Sequence, residues 1–252
     1  MNLVAHELRG EQKLFWRSRE LALFTFLLPI LFLLLLGSVY GSDRLKEEGG
    51  IKASGYLLAG MLGYGAAAIG FTGLAIVVVI RREEGILKRV RGTPLPPWAY
   101  LGALIGSFTI VYALQAVALV LIGRLALGVH FPDHAFSLVL ALLLGTVAFA
   151  ALGLGLTGSI RSAEGSSAVA NAIFLPMAFI SGSFWSPHAY PRFLEAIANV
   201  LPMTYFIRLV RDVALRHAEI WNRPGSVGVV AAWGAVGLVA ALRGFRWMPR
   251  ES

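Results

Sequence analysis

Side chains able to do chemistry are sparse in this sequence, and their densest grouping is residues 81–98, RREEGILKRVRGTPLPPW. Arg81, Arg82, Lys88, Arg89 and Arg91 stand there against Glu83 and Glu84, between two long apolar runs. So many charges are too costly for hydrocarbon, and the stretch is too short for a domain. It reads as a surface turn between two membrane spans, on the cytoplasmic side because such turns are rich in Lys and Arg. Residues 83–92 fit a short helix. Glu84 and Lys88 stand one turn apart in the favourable order, and Ile86, Leu87 and Val90 share a side. Gly92 supplies a stop, and Pro94, Pro96 and Pro97 prevent continuation. An apolar helix side that faces no lipid needs a partner, although composition alone is also satisfied by a solvated basic loop.

The remaining candidates exclude more than they offer. His130 and His134 are four apart, as two metal ligands on a helix would be, but Pro132 interrupts a helix between them and no third ligand cluster appears. Ser166 and Ser167 follow Gly165 in the manner of a nucleophile, yet no histidine falls within an apolar run to act as base. The absence of cysteine removes thiolate chemistry, and no G-x-x-x-x-G-K-[ST] is present to cradle nucleotide phosphates. Asp and Glu are confined to loops and ends, which leaves an ion-coupled carrier without a relay. The net charge of +8 comes from residues flanking apolar runs, a pattern of anionic-lipid contact and orientation, with no tract for nucleic acid.

The elements that carry these residues are membrane elements. The chain of 252 residues is 57% hydrophobic and 14% charged, with a mean hydropathy of +0.72, which is an integral membrane composition. Residues 1–20 set Arg9, Lys13 and Arg17 beside Val4, Leu8, Phe15 and Trp16, as in a helix lying in the interface. A cleaved signal peptide fits poorly, because the first apolar run begins late and is of span length. Six spans are predicted at about 21–40, 55–80, 98–123, 136–160, 168–184 and 226–242. Glycines at 60, 63, 65, 70 and 73 in the second, and at 145, 153, 155 and 158 in the fourth, leave flat surfaces for close helix approach. Gln115 is the one strongly polar side chain inside the third.

Residues 185–223 alternate apolar and charged residues at helical period on either side of Pro202. Arg208, Arg211 and Asp212 would be costly at membrane depth unless paired, so these residues read as two short interfacial or re-entrant helices on the outer side. Lys and Arg are about twofold denser in the segments that are inside if both termini are cytoplasmic. The fold class is therefore an all-α integral membrane protein in one domain: six spans, an interfacial helix and a re-entrant pair.

Residues 84–96, EGILKRVRGTPLP, closely resemble the EGTLKRLRATPLP-type segment of type-2 ATP-binding-cassette (ABC) exporter permeases, especially the drug-export, daunorubicin-resistance-like branch. Residues 15–41 resemble that family's lead into its first span. Residues 181–187, SGSFWSP, with LPMTY at 201–205 and LVR at 209–211, resemble its SG-x-F-x-P … NPLTY … LR pattern, with Leu201 where Asn is common. The resemblance implies that 81–97 is a coupling loop docking on a separate ATPase subunit through Glu83, Glu84, Leu87, Lys88 and Arg91. It implies two such ATPases per complex, which carry the ATP and Mg while this chain holds no cofactor, and a second permease copy or a paralogous permease. It also places the second and fifth spans near a central pathway, which makes Phe71, Thr72, Asn171, Phe174, Ala178 and Ser181 candidate substrate contacts; ordinary helix packing is the competing account. The implied function is export of a hydrophobic or amphiphilic drug, lipid or lipid-linked molecule across the cell inner membrane. Lipid-linked glycan export and a non-transporting scaffold are the alternatives.

Overall fold

A computed structural model describes residues 3–130 and 133–248. Pro132 and the last four residues of the basic tail, 249–252, lie outside these, as do residues 1, 2 and 131. Helix α1 (Leu3–Arg17) leads at Ser18 into α2 (Arg19–Tyr40). A two-stranded antiparallel hairpin follows, β1 (Arg44–Leu45) with β2 (Ile51–Lys52), Arg44 opposite Lys52. Next come α3 (Ala53–Ala67), a π-helical segment (Ala68–Gly73) and α4 (Leu74–Glu83), which run on as one helix of 31 residues. The short α5 (Ile86–Arg91) precedes α6 (Pro97–Leu127), α7 (Ala135–Thr157) and α8 (Ala163–Ile180). Two short helices, α9 (Arg192–Ala198) and α10 (Pro202–Leu215), lead to α11 (Pro224–Gly244).

Six of these helices are long and apolar enough to cross a membrane, so the chain is an all-α membrane protein with the six spans expected. Their ends differ from the hydropathy reading where polar residues are helical. Helix α8 begins at Ala163, not 168, because Ser162 caps it by accepting from the Gly165 N–H at 3.2 Å and Glu164 suits its first turn. It stops at Ile180, four residues short of the predicted end. The second span reaches Glu83, which draws Arg81 and Arg82 out of the expected turn and into the helix.

Glycine holds the helices together. On α11, a Cβ at Gly237 would lie 2.4 Å from the Leu152 backbone nitrogen of α7, and one at Gly155 would lie 2.8 Å from the Gly237 carbonyl oxygen, so these two helices touch backbone to backbone. On α3, a Cβ at Gly60 would meet the Ser183 carbonyl at 2.0 Å. The glycines also admit α10. Gly63 makes room for Ile207 and Gly145 for the Phe206 ring, and Met203, Phe206, Leu209, Val210 and Val213 are all fully buried. The bent pair is thus unequal: α10 turns 80° from α9 at Pro202 and inserts into the core, while α9 keeps Phe193 and Ile197 exposed.

The charges on α10 are paired by residues far away in sequence. Glu48, 5% exposed in the hairpin turn, accepts from the Ser186 hydroxyl at 2.6 Å and from Arg211, whose guanidinium also lies 4.5 Å from the centre of the Tyr56 ring. Arg216 donates to the Glu48 carbonyl and to Asp212, each at 3.0 Å, and Arg223 pairs with Asp212 at 3.0 Å. Burial alone would raise the Glu48 pKa, but the Ser186 hydroxyl and the Arg211 charge outweigh it and hold the carboxyl below its ordinary range.

Two outcomes follow. Gly237→Ala is expected to cost about 1–3 kcal/mol and to lower the thermal midpoint of the purified chain by several degrees, whereas Gly228→Ala, whose Cβ would meet nothing within 4 Å, leaves it unchanged. Because the folded pKa of Glu48 is depressed, its stabilisation is complete above the ordinary carboxylate range and is lost as pH falls below about 4. Midpoints measured against pH should drop there in the native chain, and Glu48→Gln should lower them at neutral pH and flatten the acid limb.

Candidate functional site

The densest exposed charge lies at the turn between α4 and α6. The chain leaves α4 at Glu84, whose N–H still donates to the Ile80 carbonyl at 2.9 Å, and reverses at Gly85 with φ 72° and ψ 9°, a left-handed conformation that a side chain would strain. Helix α5 then runs for six residues to Arg91. Thr93 closes it, donating to the Val90 carbonyl at 2.7 Å and accepting from the Leu95 N–H at 3.3 Å, and Pro97 opens α6 at the position where a missing N–H costs nothing. The predicted helix over 83–92 is therefore two pieces. Glu84 belongs to the end of α4, and no ion pair joins it to Lys88.

The apolar side of α5 finds its partner within the chain. Leu87 has no exposure and packs with Leu74 and Val78 of α4, Tyr100 and Leu104 of α6, and Leu154 of α7, with Val90 and Leu95 against the same cluster. Leu87 is thus an anchor and presents nothing outward, contrary to the expectation that it lines a docking side. Glu83 is turned in as well, accepting from the Arg82 Nε at 2.9 Å. Of the five expected coupling residues, Glu84, Lys88 and Arg91 are exposed, and so is Arg89.

Two arginines at the end of α4 hold this turn to the bundle. Successive residues on a helix point about 100° apart, so Arg81 and Arg82 reach different neighbours. Arg81 forks onto Glu11 of α1 at 2.7 and 2.8 Å and donates to the Tyr100 hydroxyl of α6 at 2.9 Å. Arg82, 1% exposed, donates to the Thr157 carbonyl at 2.9 Å and the Ile160 carbonyl at 2.8 Å, where α7 ends. A cation at a helix C-terminus meets carbonyls without intrahelical partners and the negative end of the helix dipole. Helix α1 is fixed a second time by Gln12, whose amide donates to the Ser107 carbonyl and hydroxyl, each at 2.9 Å. The available signal was an arginine pair at the very end of an apolar run, where a continuing helix would bury both.

The expected pathway residues fall in two places. Phe174, Ala178 and Ser181 of the α8 region turn into the chain's own core, where the Phe174 ring lies 5.1 Å from Tyr64 within an aromatic cluster that includes Phe184 and Phe32. Asn171 is half-buried and spends its amide on the Ser167 carbonyl of its own helix at 2.9 Å. The side of α8 left open carries Val169, Ile173, Leu175 and Phe179. Phe71 and Thr72 sit in the π-helical segment: Phe71 is buried against α7 at Gly153, and Thr72 lines a 410 Å³ cavity between α1, α2, α4 and α6. Ser166 donates to the Ala163 carbonyl at 2.6 Å, and His134 lies 3.8 Å from Glu219. Among the described residues no three His, Cys, Asp or Glu side chains are grouped to hold a metal ion.

Residues 4–215, from α1 through α10, match the family described as ABC-2 type transporter. The chain is similar to YvfS of Bacillus subtilis (strain 168), named as a transport permease, with 24% identity over 208 residues that cover 82% of this chain and 83% of that protein. It is also similar to the linearmycin resistance permease protein LnrN of the same organism, with 26% identity over 176 residues, 69% of this chain and 45% of LnrN. The match takes in the anchored turn, the π-helical segment and the inserted α10 together, and the chain belongs to the ABC-2 type transporter family as a permease-type membrane subunit.

Proposed function

We propose that this subunit works in an ATP-driven exporter of hydrophobic or amphiphilic molecules, in the drug-export branch that its turn sequence resembles. ATP and Mg are bound and hydrolysed on two separate ATPase subunits, and a second permease copy or a paralogous permease completes the membrane part. The chain sits in the cell inner membrane with both termini cytoplasmic, in keeping with the denser Lys and Arg of those segments. The observation that carries the reading is the α5 turn: Lys88, Arg89 and Arg91 exposed on a helix whose Leu87 is locked into the bundle, with Glu84 exposed at the end of α4 just before it.

An exposed helix of six residues has no stability of its own, and Leu87 in the α4, α6 and α7 cluster supplies it. A push on the outer face of α5 is therefore delivered to the bundle through Leu87 and through the two arginines behind it. Arg81 passes displacement to α1 and α6, and Arg82 passes it to α7. Export of an apolar molecule suits a chain whose six spans carry acidic side chains only at their ends, Glu20, Glu83 and Glu164, since no ion relay is needed when ATP supplies the energy. The resistance to linearmycin in the name of LnrN points the same way, towards removal of a harmful compound.

Purified with its ATPase, the native complex is expected to hydrolyse ATP faster when an amphiphilic substrate is present. Glu84→Arg should lower that stimulated rate by roughly tenfold through like-charge contact at the docking face, with normal insertion in the membrane. An unchanged rate would remove α5 as the docking element. Arg82→Gln separates docking from transmission: the ATPase should still be recovered with the permease in equal amounts, while transport per ATP hydrolysed falls. Equal transport per ATP in that variant would show that the hold on α7 plays no part.

A further inference from the structure

Helix α1 is held to the bundle by one side and leaves the other bare. The inward side is fully engaged. The Glu11 carboxylate forks onto Arg81, Gln12 bonds to Ser107, Phe15 packs against the core, and a Cβ at Gly106 of α6 would lie 3.2 Å from the Leu8 side chain. Arg9, Lys13 and Arg17 recur at steps of four, each about 40° further round the helix, which gathers them on the opposite side. All three are exposed, and among the described residues none of them forms an ion pair. The acids of this helix do not neutralise them, since Glu11 is spent on Arg81 and Glu7 is half-buried. Arg19 and Glu20, both exposed, open α2 and offset each other in charge.

A cationic face meets water readily, but the borders of this one are apolar. Trp16, 47% exposed, lies on one edge and stacks at 5.8 Å on Phe26 of α2, while Leu3 and Leu14, 56% and 55% exposed, lie on the other. The chain passes from Arg17 through Ser18 straight into α2, where Leu21, Leu23 and Phe24 are exposed, so the basic face stands where the chain enters hydrocarbon. Cations edged by apolar and aromatic side chains at that level match a phospholipid of net negative charge, its head oxygens received by the arginines and its acyl chains by the borders. A free phosphate or a soluble acidic protein would leave those borders unused. We propose that this face of α1 is a binding surface for anionic phospholipid, and that the headgroups held there set the position of Glu11 against Arg81 at the end of α4. Arg81 stands behind α5, so lipid charge adjusts how a push on α5 is delivered. That second step rests on the export reading, whereas the binding does not.

The sequence has no cysteine, so a single one at Gly10, where a Cβ meets nothing within 4 Å, carries a nitrobenzoxadiazole label beside the basic face. The full chain alone is placed in phosphatidylcholine nanodiscs containing a small share of phosphatidylglycerol, or of phosphatidylcholine, that bears a nitroxide near the head of its acyl chain. Quenching by the phosphatidylglycerol form is expected to correspond to a local share about tenfold higher, within the reach of three cations. The excess should vanish in the combined Arg9→Gln, Lys13→Gln, Arg17→Gln variant, and at about 1 M salt, which screens charges beyond about 3 Å. It should persist in Lys46→Gln with Lys52→Gln, which removes exposed cations from the hairpin. Equal quenching by the two lipids, or an excess indifferent to the triple variant, overturns the surface. In the complex with its ATPase, amphiphile-stimulated hydrolysis is expected to rise severalfold as phosphatidylglycerol replaces part of the phosphatidylcholine. Glu11→Gln should abolish that rise and keep the quenching excess. A stimulated rate indifferent to lipid charge overturns the second step and leaves the binding. Absence of any stimulated rate overturns the export reading and the second step with it, and the quenching still decides the surface.

Discussion

Lipid gives helices little reason to associate, since a leucine is as well solvated by acyl chains as by another leucine. The bundle is therefore held by contacts that lipid cannot replace, which are backbone surfaces brought together at glycine and polar side chains that must be met inside the protein. Helices α7 and α11 touch at Gly155 and Gly237, and α3 meets the loop after α8 at Gly60. Neither approach survives a Cβ at these positions. Between these seams the side chains fill space left by glycine, as Ile207 does at Gly63 and Phe206 at Gly145, which allows an element as short as α10 to sit wholly within the core.

Among the described residues the buried charges, Glu48, Arg211 and Asp212 on one side and Glu11 and Arg82 on the other, stand towards the two ends of the 31-residue helix from α3 to α4, while Tyr112 and Gln115 tie α6 to the Leu62 and Thr25 carbonyls in between. At the hairpin end, Glu48 gathers Ser186, Arg211 and Arg216, so the hairpin turn, the loop after α8 and α10 are joined through one carboxylate. At the α5 end, Arg81 and Arg82 reach three other helices and Glu83. Burying a charge is costly and is offset only where its hydrogen bonds are met, so these groups specify which elements stand together more than they add stability.

How much of this was legible follows from the range of each interaction. The six spans were, because hydropathy needs only a local window, and the turn at α5 was, because charge, glycine and proline mark it within twenty residues. The break at Gly85 was not: a glycine inside an amphipathic pattern is tolerated by a helix, and only the packing of Leu87 on α4 and α6 demands the reversal there. The partners of Arg211 were beyond reach for the opposite reason, since Glu48 lies 163 residues away in a hairpin turn whose sequence, KEEGG, reads as solvated loop. Phe174 and Ala178 show the limit of helical periodicity, which groups residues on one face of α8 correctly but does not say whether that face looks at the chain's own core or away from it.

The arrangement of the ties carries a mechanical consequence. One end of the α3 to α4 helix is fixed by α10 and the hairpin, and the other is fixed to α1, α6 and α7. A displacement of α5 relative to α10 therefore has to be taken up within that helix. Along an α-helical ladder it would stretch intact bonds, whereas the π-helical segment, Ala68–Gly73, is already wound at a different register and stands between the two anchored halves. Gly70 and Gly73 remove the side chains that would otherwise resist a change of winding, although the α7 backbone and the Phe108 ring lie 3.2 Å from where their Cβ atoms would be.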